Sequence, residues 1–80
     1  MPKRKVLLSS GQKVNDFVAM VTKYRFPIYL TTGRYRIDAK SLIGIFSLNL
    51  SKPVTVEVNQ EGEEVEQLFE ELSIFEYEDE

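Results

Sequence analysis

The sequence predicts a two-layer sandwich in which helices cover one face of a small sheet and leave the other face bare. Three observations lead there. Stretches of period-two apolar pattern alternate with stretches of helical period, in the order strand, helix, strand, strand, helix, strand, helix. Each strand is apolar on one face only, so one layer of helices is enough to cover it. The chain has 80 residues, 42% hydrophobic and 29% charged, which suits a single folded domain over residues 1–80 with one modest core.

The elements come in order. Lys5-Val6-Leu7-Leu8 reads as a strand entering the core. Ser9-Ser10-Gly11 breaks it, and either serine can cap the helix after it. Val14, Phe17, Val18 and Val21 fall at i, i+3, i+4 and i+7, one face of a helix ending near Tyr24. Pro27 forbids continuation. Pro27 to Thr31 and Arg34 to Asp38 then form a hairpin across Thr32-Gly33, with Ile28 and Leu30 inward and Tyr35 and Ile37 alternating with Arg34 and Arg36. Ser41 to Leu48 is a short apolar helix capped by Ser41, although Gly44 costs it about 1 kcal/mol against alanine. Val54, Val56 and Val58 alternate with Thr55 and Glu57 as a one-sided strand. Val65, Leu68, Phe69 and Leu72 mark the last helix, with Glu63 and Glu64 in the first turn, where the dipole favours acids. The acidic end from about Glu76 is expected to fray.

Composition removes several functions. Histidine and cysteine are both absent, which excludes a phosphohistidine, the usual general base, thiol chemistry and the commonest metal ligands. The acids show no metal-ligand spacing, so no metal, no cofactor and no enzymatic activity are expected. No apolar run approaches the roughly 20 residues that span a bilayer, and no signal-peptide pattern comes after Met1. A cytoplasmic location without membrane insertion is the expectation. The net charge of −3 conceals a division. Residues 1–56 carry all ten Lys and Arg against Asp16 and Asp38, for +8; residues 57–80 carry eleven acids and no base, for −11. That division fits a basic working surface with an acidic flank, or simply an acidic last helix packed near a basic sheet.

The stretch Lys40-Ser41-Leu42-Ile43-Gly44-Ile45-Phe46-Ser47-Leu48 resembles the second helix of HPr, the phosphocarrier of the bacterial sugar phosphotransferase system. The helix ending Thr22-Lys23-Tyr24 is similar to the family's first helix, and the likeness runs from about Ser10 to Leu72. The resemblance implies an α+β open-faced sandwich whose four strands form one antiparallel sheet with three helices on one face. The family's active-site histidine precedes its first helix. Counting back from Lys23-Tyr24 places that position at Ser10, within two or three residues, with Gln12 and Lys13 where the family has arginine and proline. A chain without histidine cannot relay a phosphoryl group that way. The pattern therefore resembles the histidine-less regulators called Crh, in which a serine at the second helix is phosphorylated by a dedicated kinase and the product binds a transcription factor in catabolite repression. The matching residue is Ser41.

Each of these positions also has a plainer reading. Ser41 is a sufficient helix cap without any modification, although a phosphate there would gain from the same donors and Lys40 would soften its charge. The helix after it carries more apolar side chains than one small core can take, and an ordinary stripe buries Leu42, Ile45 and Leu48 or Phe46 while exposing Ile43. The resemblance makes Leu42, Ile43 and Phe46 partner-binding positions, the partner being a kinase, a transcription factor or a phosphotransferase-system component; a fully packed helix is the alternative. Ser9-Ser10-Gly11 is an anion site or a plain cap. Finally, Arg25, Arg34 and Arg36 with Tyr24, Tyr29 and Tyr35 mix bases and aromatics near the hairpin, as RNA-binding sheets do. No RNP-like aromatic motif accompanies them, so nucleic acid is the second choice of partner.

Overall fold

The structure, a computed structural model, describes residues 3–77. Its elements are β1 (Lys3–Val6), α1 (Gly11–Val21), β2 (Tyr29–Thr32), β3 (Tyr35–Asp38), α2 (Leu42–Phe46), β4 (Val54–Glu57) and α3 (Glu63–Glu71), followed by a 3-10 turn at Leu72–Phe75. The four strands form one antiparallel sheet in the order β1-β4-β2-β3.

The register decides which side chains meet the helices. Arg4, Val56, Leu30 and Ile37 lie in one row across the sheet, and Val6 pairs with Val54 on the same side. Val6, Leu30, Val54 and Val56 are all buried there. The opposite face carries two mixed polar rows, Lys3-Glu57-Tyr29-Asp38 and Lys5-Thr55-Thr31-Arg36. Against the apolar face α1 places Val14, Phe17 and Val21, α3 places Val65 and Leu68, and α2 contributes Ile45. Fully burying each such aliphatic or aromatic side chain contributes about 1.5–3 kcal/mol before the entropy of ordering is counted. Among the described residues no charged side chain is buried, and the core is built of apolar and aromatic side chains.

The element order and one-sided strands match the sequence reading; several boundaries do not. β1 begins at Lys3 rather than Lys5, because β4 offers Glu57 and Val56 as partners for Lys3 and Arg4. Leu7 and Leu8 then leave the strand, the Leu7 N–H donating to the Phe75 carbonyl at 2.8 Å while Leu8 stays buried. Helix α1 stops at Val21 and closes through a turn, with Lys23 N donating to Met20 O and Tyr24 N to Val21 O. Thr32 belongs to β2, pairing with Tyr35, so the hairpin turn is Gly33-Arg34. Gly33 has φ +55°, a conformation that a Cβ disfavours.

The largest departure is at the chain's end. Leu72–Phe75 winds into a 3-10 turn that buries Phe75, whose ring meets Phe17 edge-on at 5.8 Å and 83°. Glu76 then bridges to Val6, and Tyr77 N donates to Lys5 O at 3.2 Å. Glu76 and Tyr77, expected to fray, are thus fastened along β1; the rest of that expectation concerns residues 78–80, outside the described residues.

Candidate functional site

Ser10 sits in extended conformation immediately before α1, and its Oγ accepts the Lys13 N–H at 3.1 Å. Ser9 Oγ accepts from Lys13 Nζ at 3.5 Å, and Gln12 Nε2 donates to Asp16 Oδ1 at 2.8 Å. Ser10 is therefore a working helix cap, and the side chains of Gln12 and Lys13 are engaged locally, with Asp16 and Ser9. Ser41 plays the same part for α2, its Oγ accepting the Gly44 N–H at 3.1 Å. Gly44 has a reason to lack a side chain: a Cβ there would lie 3.1 Å from Ser41 Oγ and 3.4 Å from Ser41 Cβ.

Lys40 does not stand ready to neutralise charge on Ser41, as the sequence suggested. Its ammonium donates to the carbonyls of Tyr24 at 2.6 Å and Phe26 at 3.0 Å, in the loop after α1. A cation beside carbonyls past a helix's last turn is a favourable arrangement, since those acceptors lack intrahelical donors. The same bonds bring the start of α2 to the C-terminal end of α1, whereas Ser10 lies at its N-terminal end. An 11-residue helix is roughly 16 Å long, so the two serines mark opposite ends of the face that α1 and α2 form together.

On α2 only Ile45 is buried, with Leu48 half-buried just beyond the helix. Ile43 is 86% exposed, Phe46 50% and Leu42 39%. The expectation that Leu42 joins the buried stripe fails, because five helical residues make little more than one turn and only one of their side chains can point straight inward. The outcome is an outward apolar surface of three side chains on a helix that Ser41 opens.

The basic and aromatic residues near the hairpin do not assemble into one surface. Tyr24 is buried against the helical layer, its hydroxyl donating to Glu71 Oε1. Burial above all, then that bond and the charges of Glu71 and Glu64, push the phenol up to about 12. The bond from Tyr24, followed by one from Lys23 Nζ at 3.1 Å, holds the Glu71 carboxyl below its ordinary value. Tyr29 and Arg36 lie on the open face, with the guanidinium 3.8 Å from the ring centroid. Tyr35 points to the other side and is 70% exposed beside the hairpin turn, and Arg34 is in the turn. The N-terminal basic cluster divides likewise: Lys3 and Lys5 face outward, while Arg4 Nη1 donates to Phe69 O at 2.8 Å on the helical side. Among the described residues the acidic last helix makes one ion pair with the basic part of the chain, Lys23–Glu71 at 3.1 Å; the other, Lys3–Glu57 at 4.0 Å, joins β1 to β4. Among those residues, too, no acid cluster is arranged to hold a metal, and no helix is long and apolar enough to cross a membrane.

Sequence reasoning missed the roles of Lys40, Arg4, Tyr24 and Glu71. Each depends on a partner 14 to 65 residues away, which no local pattern reveals.

An open-faced βαββαβα sandwich, with a serine capping its first helix and a short apolar second helix, has the architecture of small HPr-like domains. A family model described as PTS HPr component phosphorylation site matches residues 12–76, and the chain belongs to the PTS-HPr family. Similar solved structures include HPr-C-His from Thermoanaerobacter tengcongensis, 21% identical with a TM-score of 0.69 over 90% of this chain and 91% of that one. The phosphocarrier protein HPr from Bacillus anthracis str. Ames is also 21% identical, with a TM-score of 0.63 over 95% of this chain and 96% of that one. Comparison with curated proteins returns no match.

Proposed function

We propose that this chain is a regulatory, non-catalytic interaction module of the phosphotransferase system, in which the outward surface of α2 receives a protein partner. One observation carries the reading: a PTS-HPr chain without histidine has Ile43 86% and Phe46 50% exposed on one short helix. Side chains of that size in water favour an interface, where a few central apolar anchors supply most of the affinity. Phosphoryl relay requires a nucleophilic imidazole, and Ser10 is a hydroxyl engaged in capping.

Ser41 is the regulatory position in this proposal. Phosphorylation by a kinase would set a charge of nearly −2 beside the docking side chains, directed at the Gly44 N–H that the hydroxyl already engages. The partner is then a kinase, a transcription factor of catabolite regulation or another phosphotransferase-system component, in the bacterial cytoplasm. The test pairs two measurements. Incubation with an active phosphoryl-donating component of the system leaves the chain unlabelled, and binding to phosphotransferase-system proteins is present in the parent chain but lost in Ile43→Glu and Phe46→Glu. Labelling of the chain at a residue in α1, or binding indifferent to both substitutions, overturns the proposal.

A further inference from the structure

An open cleft of about 540 Å³ lies between the β2–β3 hairpin tip and the segment linking α2 to β4. Its size falls within the roughly 300–1,000 Å³ of ordinary ligand sites. The floor is apolar, formed by Ile37 and Leu48, both half-buried and packed on the core. Tyr35 forms one wall, with a ring 70% exposed. Among the described residues of the lining, Arg34 and Lys52 supply the only charges, and no carboxylate is present.

These two cations differ from most of the others. Among the described residues Lys3, Arg4, Lys13, Lys23, Arg36 and Lys40 each meet an acceptor or an aromatic ring. The side chains of Arg34 and Lys52 meet none there, yet the backbone fixes the position of both. Gly33, at φ +55°, turns the chain so that Arg34 leads into the return strand. Asn49 Oδ1 accepts from Ser51 N at 3.2 Å and from Ser51 Oγ at 2.6 Å, and Lys52 N donates to Asn49 O at 3.4 Å, closing the turn that presents Lys52.

We propose that this cleft is a binding site for a small phosphate ester bearing a flat ring, a nucleoside phosphate in chemical class. The ring stacks on Tyr35 over the Ile37 and Leu48 floor, and the phosphate oxygens accept from Arg34 and Lys52. A guanidinium and an ammonium without acids beside them suit a phosphate, and an exposed aromatic wall suits a planar ring. The site shares no residue with the docking surface of α2, so it stands or falls independently of the function proposed above.

The experiment is an amide chemical-shift titration of the full chain with ADP, inorganic pyrophosphate and adenosine in parallel. ADP is expected to shift Gly33, Tyr35, Leu48 and Asn49, with pyrophosphate weaker at the same amides and adenosine weakest. Arg34→Gln and Lys52→Gln should each weaken ADP by roughly fivefold, as loss of a surface charge-assisted contact does. Tyr35→Ala should remove the preference for ADP over pyrophosphate. All three positions are on the surface, so the remaining amides should stay in place and report an intact fold. Shifts spread evenly over Lys5 and Arg25 as well, ADP binding unchanged in the Arg34→Gln, Lys52→Gln double variant, or no shift at millimolar ADP would each overturn the site.

Discussion

Ile43 and Ile45 are two residues apart on α2 and lie in opposite environments, 86% exposed and fully buried. Truncating Ile45 to alanine removes apolar groups from the core and leaves a void under α2, at a cost of about 2–5 kcal/mol. An 80-residue chain has a total stability of about 4–12 kcal/mol, so Ile45→Ala should consume a large part of it. Ile43→Glu removes almost no buried surface. It places an acid in the first turn after the Ser41 cap, where the dipole favours it by a few tenths of a kcal/mol, and the net change should stay within about 0.5 kcal/mol of zero. Binding should show the reverse ranking. Loss of a central apolar anchor costs about 2 kcal/mol or more, close to thirtyfold in affinity. Urea unfolding followed by circular dichroism measures the first quantity, and titration against a phosphotransferase-system protein that binds the parent chain measures the second. If Ile43→Glu destabilises as much as Ile45→Ala, or keeps affinity within about threefold of the parent, the separation of core from docking surface on α2 is wrong.

Phe75→Ala should cost about 3–5 kcal/mol, because the ring is buried and meets Phe17 edge-on; a loss under about 1 kcal/mol in urea unfolding would contradict that placement. Tyr24→Phe should alter the pH dependence of stability at both ends. Below pH 10 the phenol is protonated in both states; between 10 and about 12 the unfolded chain releases the proton while the folded one keeps it, so the parent loses stability with rising pH over that window and the variant does not. At the acid end Glu71 stabilises the fold above its unfolded value near 4.5 and loses that contribution as pH falls through its lowered folded value. Without the Tyr24 bond that acid loss should shrink, which a series of melting temperatures against pH would measure. Ser10→Ala should cost about 1 kcal/mol through loss of the α1 cap while Ser10→Asp keeps it, again by urea unfolding; equal stability of the two would mean that the bond to Lys13 N contributes nothing.

Much of this fold is legible from local pattern. Val54 and Val56 alternate with Thr55 and Glu57 because β4 lies inside the sheet, paired on both edges, with helices on one face only. Val14, Phe17 and Val21 are buried on α1 as their spacing requires. What escapes is set by distant neighbours. Phe75 lies beyond the helical stripe of α3 and is drawn in by Phe17, 58 positions earlier in the chain. Tyr35 alternates like a half-buried strand residue, yet it is 70% exposed. The candidate site divides in the same way: exposure of Ile43 comes from too many apolar residues on too short a helix, whereas the cleft at Arg34 and Lys52 needs two segments that are adjacent only in space.

Strand β1 takes its hydrogen bonds from β4 and from residues 76 and 77, all encoded far downstream. During synthesis the first strand therefore waits without a neighbour until roughly fifty further residues have been added, while α1 and the central hairpin can organise locally. Shortening the chain before Phe75 should consequently harm the opposite terminus most, exposing an unpaired strand rim to other chains.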